Sequence, residues 1–326
     1  MSSLRILLVS AALLSANVSW AQPPAPIHTQ VPGYFRLAVG DYEVTALFDG
    51  YNDLGPSLLE GLAPEKIRQQ LVENAVDPER MQTSFNAFVV NTGKHLVLVD
   101  SGAGHCLPQT AGSLESNLRT SGYKPEQIDT VLLTHMHLDH VCGLVTESGK
   151  ALFPNAQVYA TKAEADYWLS PQEKAKAPAG GKEYFDIAVN SLKPYRDAGR
   201  FKTFTPPQPP IREVEVIARA GHTPGSVTYR FESGGKAIVF IGDLIHSAAV
   251  QFDHPEVSIH FDTKPEQAIA SRKEEFNDLA KRGEWLAAAH LPFPGIGHLT
   301  MNGQAYRWVP ALFGPYQRAA EVPLLK

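Results

Sequence analysis

The chain has 326 residues, 44% of them hydrophobic and 19% charged, with a formal net charge of −5. Charged residues fall below the usual quarter or so, which leaves enough apolar material for a large core. The acidic balance and the absence of any Lys/Arg run exclude the clustered positive charge that a phosphate backbone demands, so nucleic acid is not expected as a partner.

In chain order, Met1–Ala21 comes first. Arg5, the apolar run Ile6–Ala16 and the small residues of Ser19-Trp20-Ala21 read as a signal peptide, followed by the Pro-rich Gln22–Pro26. The apolar run is too short to span a bilayer, so export to the periplasm or the exterior is expected rather than membrane anchoring. Without that segment, 28 basic and 34 acidic side chains remain, a net charge of −6. No long linker divides residues 22–326, which read as one domain.

Short apolar runs predict strands at Val44–Phe48, Phe85–Val90, Leu96–Val99, Val131–Leu133, Val158–Ala160, Val227–Phe231, Ala237–Ile241 and Leu286–Ala289. Helical spacing or a helix-starting proline predicts helices at Pro64–Val72, Leu114–Ser121, Lys162–Leu169 and Pro265–Arg282. Between Trp168 and Phe185, the Pro-, Ala-, Lys- and Gly-rich Ser170–Gly181 reads as a mobile loop with an aromatic anchor on each side. Strands and helices in both halves make an α/β fold; periodicity alone leaves several such folds open.

The run Thr-His-Met-His-Leu-Asp-His places His135, His137, Asp139 and His140 on the loop leaving the predicted strand Val131–Leu133. In extended chain, residues two apart point the same way, so His135 and His137 converge on one ion. Asp139 and His140, past a change of direction, serve a second. Three distant candidates lie in similar contexts: His222 in Ala-Gly-His-Thr-Pro-Gly, Asp243 in Ile-Gly-Asp after an apolar run, and His290 after another. Imidazole and carboxylate ligands of this kind suit two divalent ions, zinc foremost, with manganese, cobalt and iron compatible.

Cys106 and Cys142 both lie beside predicted ligand loops, and two readings stay open: a disulfide or two partly buried thiols. His28, His95, His254 and His260 show no ligand spacing and read as solvated or packing residues, whereas His105 and His298 lie near site loops.

The His-x-His-x-Asp-His signature with its distant His, Asp and His resembles the metallo-β-lactamase-fold hydrolases. Longer stretches, Thr-His-Met-His-Leu-Asp-His-Val, Ala-Asp-Tyr-Trp-Leu-Ser, Ala-Ala-Val-Gln-Phe-Asp and Ala-Ala-Ala-His-Leu-Pro-Phe-Pro-Gly-Ile-Gly-His, are most similar to the methyl parathion hydrolase and lactonase group. The resemblance implies an αββα four-layer sandwich and a homodimer. It implies that His135, His137 and His222 hold one ion, that Asp139, His140 and His290 hold the other, and that Asp243 bridges them. A hydroxide shared by ions about 3.5–4 Å apart is then the nucleophile, and Asp139 helps move the proton to the leaving group.

In that family the positions of Trp168 and Phe185 line the pocket, which implies an apolar or aromatic substrate; as plain sequence, both rings fit a core equally well. Four positions depart from the phosphotriester-hydrolysing pattern: Leu107 replaces a pocket aromatic, His246 an aliphatic, and Ile259 and Phe261 smaller residues. A bulkier, more polar pocket fits a planar ester ring better than a tetrahedral phosphotriester. Lactones or aryl esters of the dihydrocoumarin type are therefore expected as substrates, with phosphotriester hydrolysis as a side activity and His246 either lining the pocket or orienting a ligand. The competing readings are a methyl parathion-type hydrolase, an acyl-homoserine lactonase, a β-lactamase and a single-iron persulfide dioxygenase.

Overall fold

The computed structural model describes residues 23–314 and 316, and the proposed signal peptide lies outside that range. Residues 23–31 lie in no helix or strand and are exposed. The described chain from Pro32 onward forms one compact unit.

Apolar runs in its strands explain its layering. Leu98 and Val131 point to one face of their sheet while Val97, Val99 and Leu132 point to the other, and all are buried. A strand buried on both faces needs a layer on each side. The first sheet has seven strands, in the order Tyr34–Val39, Tyr42–Leu54, Met81–Asn91, Leu96–Val99, Thr130–Leu132, Gln157–Thr161 and Phe201–Phe204. The last four of these run parallel. The second sheet has six, in the order Ala305–Pro310, Ile296–Asn302, Trp285–Ala287, Lys236–Phe240, Val227–Ser233 and Val214–Ala218.

Between the sheets, Val44, Phe88, Val97 and Leu132 pack with Tyr229, Phe231, Phe240 and Ala287. On the outer face of the first sheet, Leu98, Val131 and Val158 meet Leu118 of the helix Leu114–Thr120 and Phe185, Ala188 and Leu192 of the helix Lys182–Asp197. On the outer face of the second, Val239, Ile241 and Leu286 meet Phe276 and Leu279 of the helix Pro265–Arg282. This is the αββα sandwich. Each fully buried Leu, Val or Phe contributes roughly 1.5–3 kcal/mol through removal from water.

One expectation needs correction here. Ser170–Gly181 is not a plain loop. Ser170 caps a helix over Pro171–Lys176 by accepting the Glu173 N–H at 3.2 Å, and a 3-10 turn over Ala179–Gly181 then leads into the helix Lys182–Asp197. The Ser-Pro-Gln-Glu start carries a cap, a proline at the first turn and an acidic residue at the third position, the signals that begin a helix. The open question about the cysteines is also resolved: Cys106 and Cys142 form a disulfide. Among the described residues, no helix is long and apolar enough to cross a membrane.

Candidate metal centre

Loops leaving the carboxyl ends of the strands carry the ligand candidates. The strand Thr130–Leu132 runs into Thr134, whose backbone N–H and hydroxyl both donate to Asp100 at 2.8 Å. Asp100 ends the neighbouring parallel strand and has a left-handed φ of +59°, a strained conformation of the kind that clusters at functional sites. A short helix, Leu138–Val141, starts at His137 and turns Asp139 and His140 toward the centre. Lys236–Phe240 and Trp285–Ala287, also parallel neighbours, lead to Asp243 and His290, and the turn before Val227 carries His222.

These seven side chains converge. His137 Nδ1 lies 3.0 Å from His135 Nε2 and 2.9 Å from His222 Nε2. On the other side, Asp139 Oδ2 is 3.5 Å from both His140 Nε2 and His290 Nε2. Asp243 sits between, with Oδ2 at 2.9 Å from His290 Nε2 and 3.2 Å from His222 Nε2, and Oδ1 at 3.0 Å from His140 Nε2. Within the two groups, His135/His137/His222/Asp243 and Asp139/His140/Asp243/His290, the ligating atoms all lie within 4.8 Å of one another.

Divalent ions fit this donor set. Buried polar atoms normally have hydrogen-bond partners, yet His140 Nε2 and Asp243 Oδ1 have none despite their closeness. Ring nitrogens of three histidines face one another around His137 Nδ1, an arrangement a shared cation satisfies. Two outer nitrogens are hydrogen-bonded from behind, His222 Nδ1 to Asp262 Oδ1 at 2.8 Å and His290 Nδ1 to the Ser84 carbonyl at 2.9 Å, while His140 Nδ1 lies 2.9 Å from Asp100 Oδ2 without a hydrogen bond. With those two nitrogens donating, the inner nitrogens of His222 and His290 keep their lone pairs for an ion. Ser101 also pins His140, donating from its N–H at 2.9 Å and its hydroxyl at 2.7 Å to the His140 carbonyl. The approach is so close that a Cβ on Gly143 would lie 1.8 Å from the Ser101 carbonyl oxygen, so only glycine fits there.

The electrostatics point the same way. Burial pushes His135 down to about 4, helped by the neighbouring His140, and burial with His222 and His135 also holds His137 low. For His222, burial is outweighed by the hydrogen bonds to Asp243 and Asp262, which raise it to about 9. His140 and His290 are raised against burial by Asp243. Asp243 is held well below the carboxylate range, its burial overcome by His140 and His290. The carboxylates thus demand positive charge in this cluster. A divalent ion supplies it in competition with the proton, so ion affinity rises with pH.

The other expected site residues divide. Trp168 is buried and meets His137 edge-on at 5.2 Å, and Phe185 packs on Trp168 at 4.8 Å; both rings belong to the helix-side core at the same time. His246 stacks on His290 at 4.8 Å, with Nε2 3.3 Å from Asp243 Oδ2 and neither ring nitrogen hydrogen-bonded. Burial pushes it down to about 4, so its imidazole is neutral. Phe261 is partly exposed, 6.2 Å from His246. Ile259 needs correction as a pocket residue: it is fully buried in a satellite cluster with Leu59, Val250 and Val257, because its two-residue strand pairs with Leu59–Glu60. Leu107 is half-buried on the turn after Cys106 and anchors it by accepting the Ala111 N–H at 2.9 Å.

Among the remaining histidines, His298 stacks on Trp285 at 3.8 Å and His105 is exposed beside the disulfide. Asp100, Asp262, Ser84 and Glu164 support the ligands without having been singled out. Only Asp100 carried a signal, an acidic residue ending the strand-like Leu96–Val99.

The model of the metallo-beta-lactamase superfamily matches residues 83–290. The crystal structure of hydrolase AbOPH in the beta lactamase superfamily superposes with a TM-score of 0.85 at 44% identity, covering 88% of this chain and 100% of that one. AidC, a dizinc quorum-quenching lactonase in complex with a product, has a TM-score of 0.79 at 26% identity, covering 87% and 99%. Hydroxyacylglutathione hydrolase of Aeromonas hydrophila subsp. hydrophila is 30% identical over 148 residues, 44% of each chain. The matches to curated relatives span less than half of those relatives' lengths. Since the matched segment spans most of the chain and holds all seven ligand candidates, the protein belongs to the metallo-beta-lactamase superfamily, with a His/Asp cluster suited to divalent ions.

Proposed function

We propose that the protein opens lactones and aryl esters of the dihydrocoumarin type, with phosphotriester hydrolysis as a secondary activity. The observation that carries this reading is His246: a neutral, buried imidazole with both nitrogens unpartnered, stacked on His290 beside the ligand groups. Such a ring offers a hydrogen bond to an ester oxygen and a flat face to a planar ring, and it takes up space that a tetrahedral phosphotriester would need. Likeness to a dizinc lactonase supports both the substrate class and zinc as the ion.

His135, His137 and His222 would hold one ion, Asp139, His140 and His290 the other, and Asp243 both. When bound, the ions supply a hydroxide at neutral pH and polarise the carbonyl under attack. Asp139 is the least buried of the carboxylates in the cluster, with 15% of its side chain exposed. Its proposed second role is to help move the proton to the departing oxygen. Trp168 and Phe185 form the apolar wall on the His137 side. We further propose export to the periplasm or exterior, which the Cys106–Cys142 disulfide supports, together with a homodimer and a small-molecule substrate rather than nucleic acid.

A hydrolysis panel of dihydrocoumarin, methyl parathion, an acyl-homoserine lactone and nitrocefin, run before and after chelation and zinc restoration, tests the reading. Metal-dependent preference for dihydrocoumarin is the expected result; a preference for methyl parathion or the homoserine lactone would reassign the substrate. Oxygen consumption with a single bound iron would point instead to a persulfide dioxygenase. Replacing His246 by Leu should lower the ratio of dihydrocoumarin to methyl parathion kcat/KM about tenfold, equivalent to about 1.4 kcal/mol. Equal losses on both substrates would overturn the role given to this ring.

A further inference from the structure

We propose that Glu164 is the positioning residue of the His135/His137/His222 group, its buried carboxylate tying together the two loops that carry those three histidines. Glu164 lies on the helix Lys162–Trp168 and is fully buried. Its Oε2 accepts the Met136 N–H at 2.9 Å and its Oε1 the Gly225 N–H at 2.7 Å. Met136 stands between His135 and His137, and Gly225 is three residues past His222. One loop leaves the first sheet and the other joins two strands of the second, so one carboxylate spans the sheets at the site.

The helix start is built for this contact. Thr161 caps it by accepting the Glu164 N–H at 3.2 Å, and its hydroxyl donates to the Gly225 carbonyl at 2.8 Å. A Cβ on Gly225 would lie 2.4 Å from Thr161 Oγ1 and 2.5 Å from the Glu164 nitrogen, so the turn seats directly on the helix. Farther from the ligands, Val227 N–H donates to the Thr134 carbonyl at 3.1 Å and the Tyr229 hydroxyl to the Leu133 carbonyl at 2.8 Å, joining the roots of the same loops. Glu164 is the clasp nearest the imidazoles. Both of its oxygens accept from backbone N–H groups, and a glutamine, with one accepting oxygen and an NH2 group, can serve only one loop. The Asp139/His140/His290 group is held instead by Asp100, Ser101 and the Ser84 carbonyl.

The inference rests on the ligand grouping proposed above. Metal-stripped wild type, Glu164→Gln and His222→Ala are titrated with zinc, and amide hydrogen exchange is read in the metal-free proteins. In Glu164→Gln one of two zinc affinities is expected to fall about 10- to 100-fold, as for other groups that orient ligands. The second affinity stays unchanged, and the Met136 and Gly225 amides exchange faster. If Glu164→Gln does not fold, Thr161→Val, which keeps the carboxylate, is expected to show a smaller loss of the same one-site pattern. Equal weakening of both ions, or unchanged affinities and exchange, overturns the inference. Two ions bound by His222→Ala with wild-type affinity would sink the ligand grouping itself, a result distinct from a normal Glu164→Gln.

Discussion

Replacing Asp243 by Ala is expected to remove nearly all bound metal and lower kcat by at least about a thousandfold. The reason is its central place: its two oxygens reach His140, His222 and His290 within 3.2 Å and His135 at 3.5 Å. Without it, Asp139 is the one carboxylate left among the seven ligand candidates, beside His140 and His290, and the His135/His137/His222 group keeps no carboxylate of its own. Water that is not metal-bound has a pKa of about 15.7 instead of about 7, so the nucleophile is lost with the ions. Asp243→Asn separates charge from shape. It preserves volume but presents a neutral amide, and it should lose metal nearly as completely. Metal content by elemental analysis, read beside kcat, checks both variants. Two ions retained with full activity would sink the assignment of Asp243 as the shared ligand.

Much of this arrangement was legible in the chain because its signals are local. Val131 and Leu132 are apolar on consecutive positions, which is what a strand buried on both faces requires, and the next residues carry four ligand candidates. The helix Pro265–Arg282 was legible in its starting proline, and Gly283 closes it with a left-handed φ of +63°. What stayed hidden depends on distant partners. Asp262 lies 40 positions from His222 and Glu164 lies 28 from Met136. Neither carries a pattern that separates it from a surface acid until the fold brings the loops together. Ser170–Gly181 was misread for another reason: its Pro, Ala and Gly content resembles a loop, while the helix signal sits in the order Ser-Pro-x-Glu. Ile259 shows the limit of a resemblance, since a position it assigned to the pocket here fills a core between Leu59 and Val257.

The deepest support of the site is Arg272, and its replacement by Met is expected to lower stability by roughly 3 kcal/mol or more. The guanidinium is fully buried and donates to three backbone carbonyls: Leu244 at 2.5 Å, Val257 at 2.6 Å and Pro255 at 3.0 Å. Burial pushes it down to about 10, still protonated at neutral pH. An ion pair exchanged whole for apolar side chains can be neutral. Here the partners are carbonyls that remain after substitution: Val257 keeps the Gln251 amide at 2.9 Å, while Leu244 and Pro255 lose the guanidinium, each costing about 1–3 kcal/mol when left buried without a donor. At about 2–4 °C per kcal/mol for a large domain, Tm should fall by about 6 °C or more. Lys should rescue only in part, because one ammonium on a flexible stem cannot match a planar fork that reaches three acceptors. The effect should extend to the metal centre. Leu244 follows Asp243 directly, and Arg272 Nη2 lies 3.9 Å from Asp262 Oδ2, whose other oxygen holds His222. Zinc affinity should therefore weaken along with Tm. A lowered Tm with unchanged zinc affinity would show that Arg272 supports the fold without setting the ligands, and an unchanged Tm would show that other donors satisfy those carbonyls.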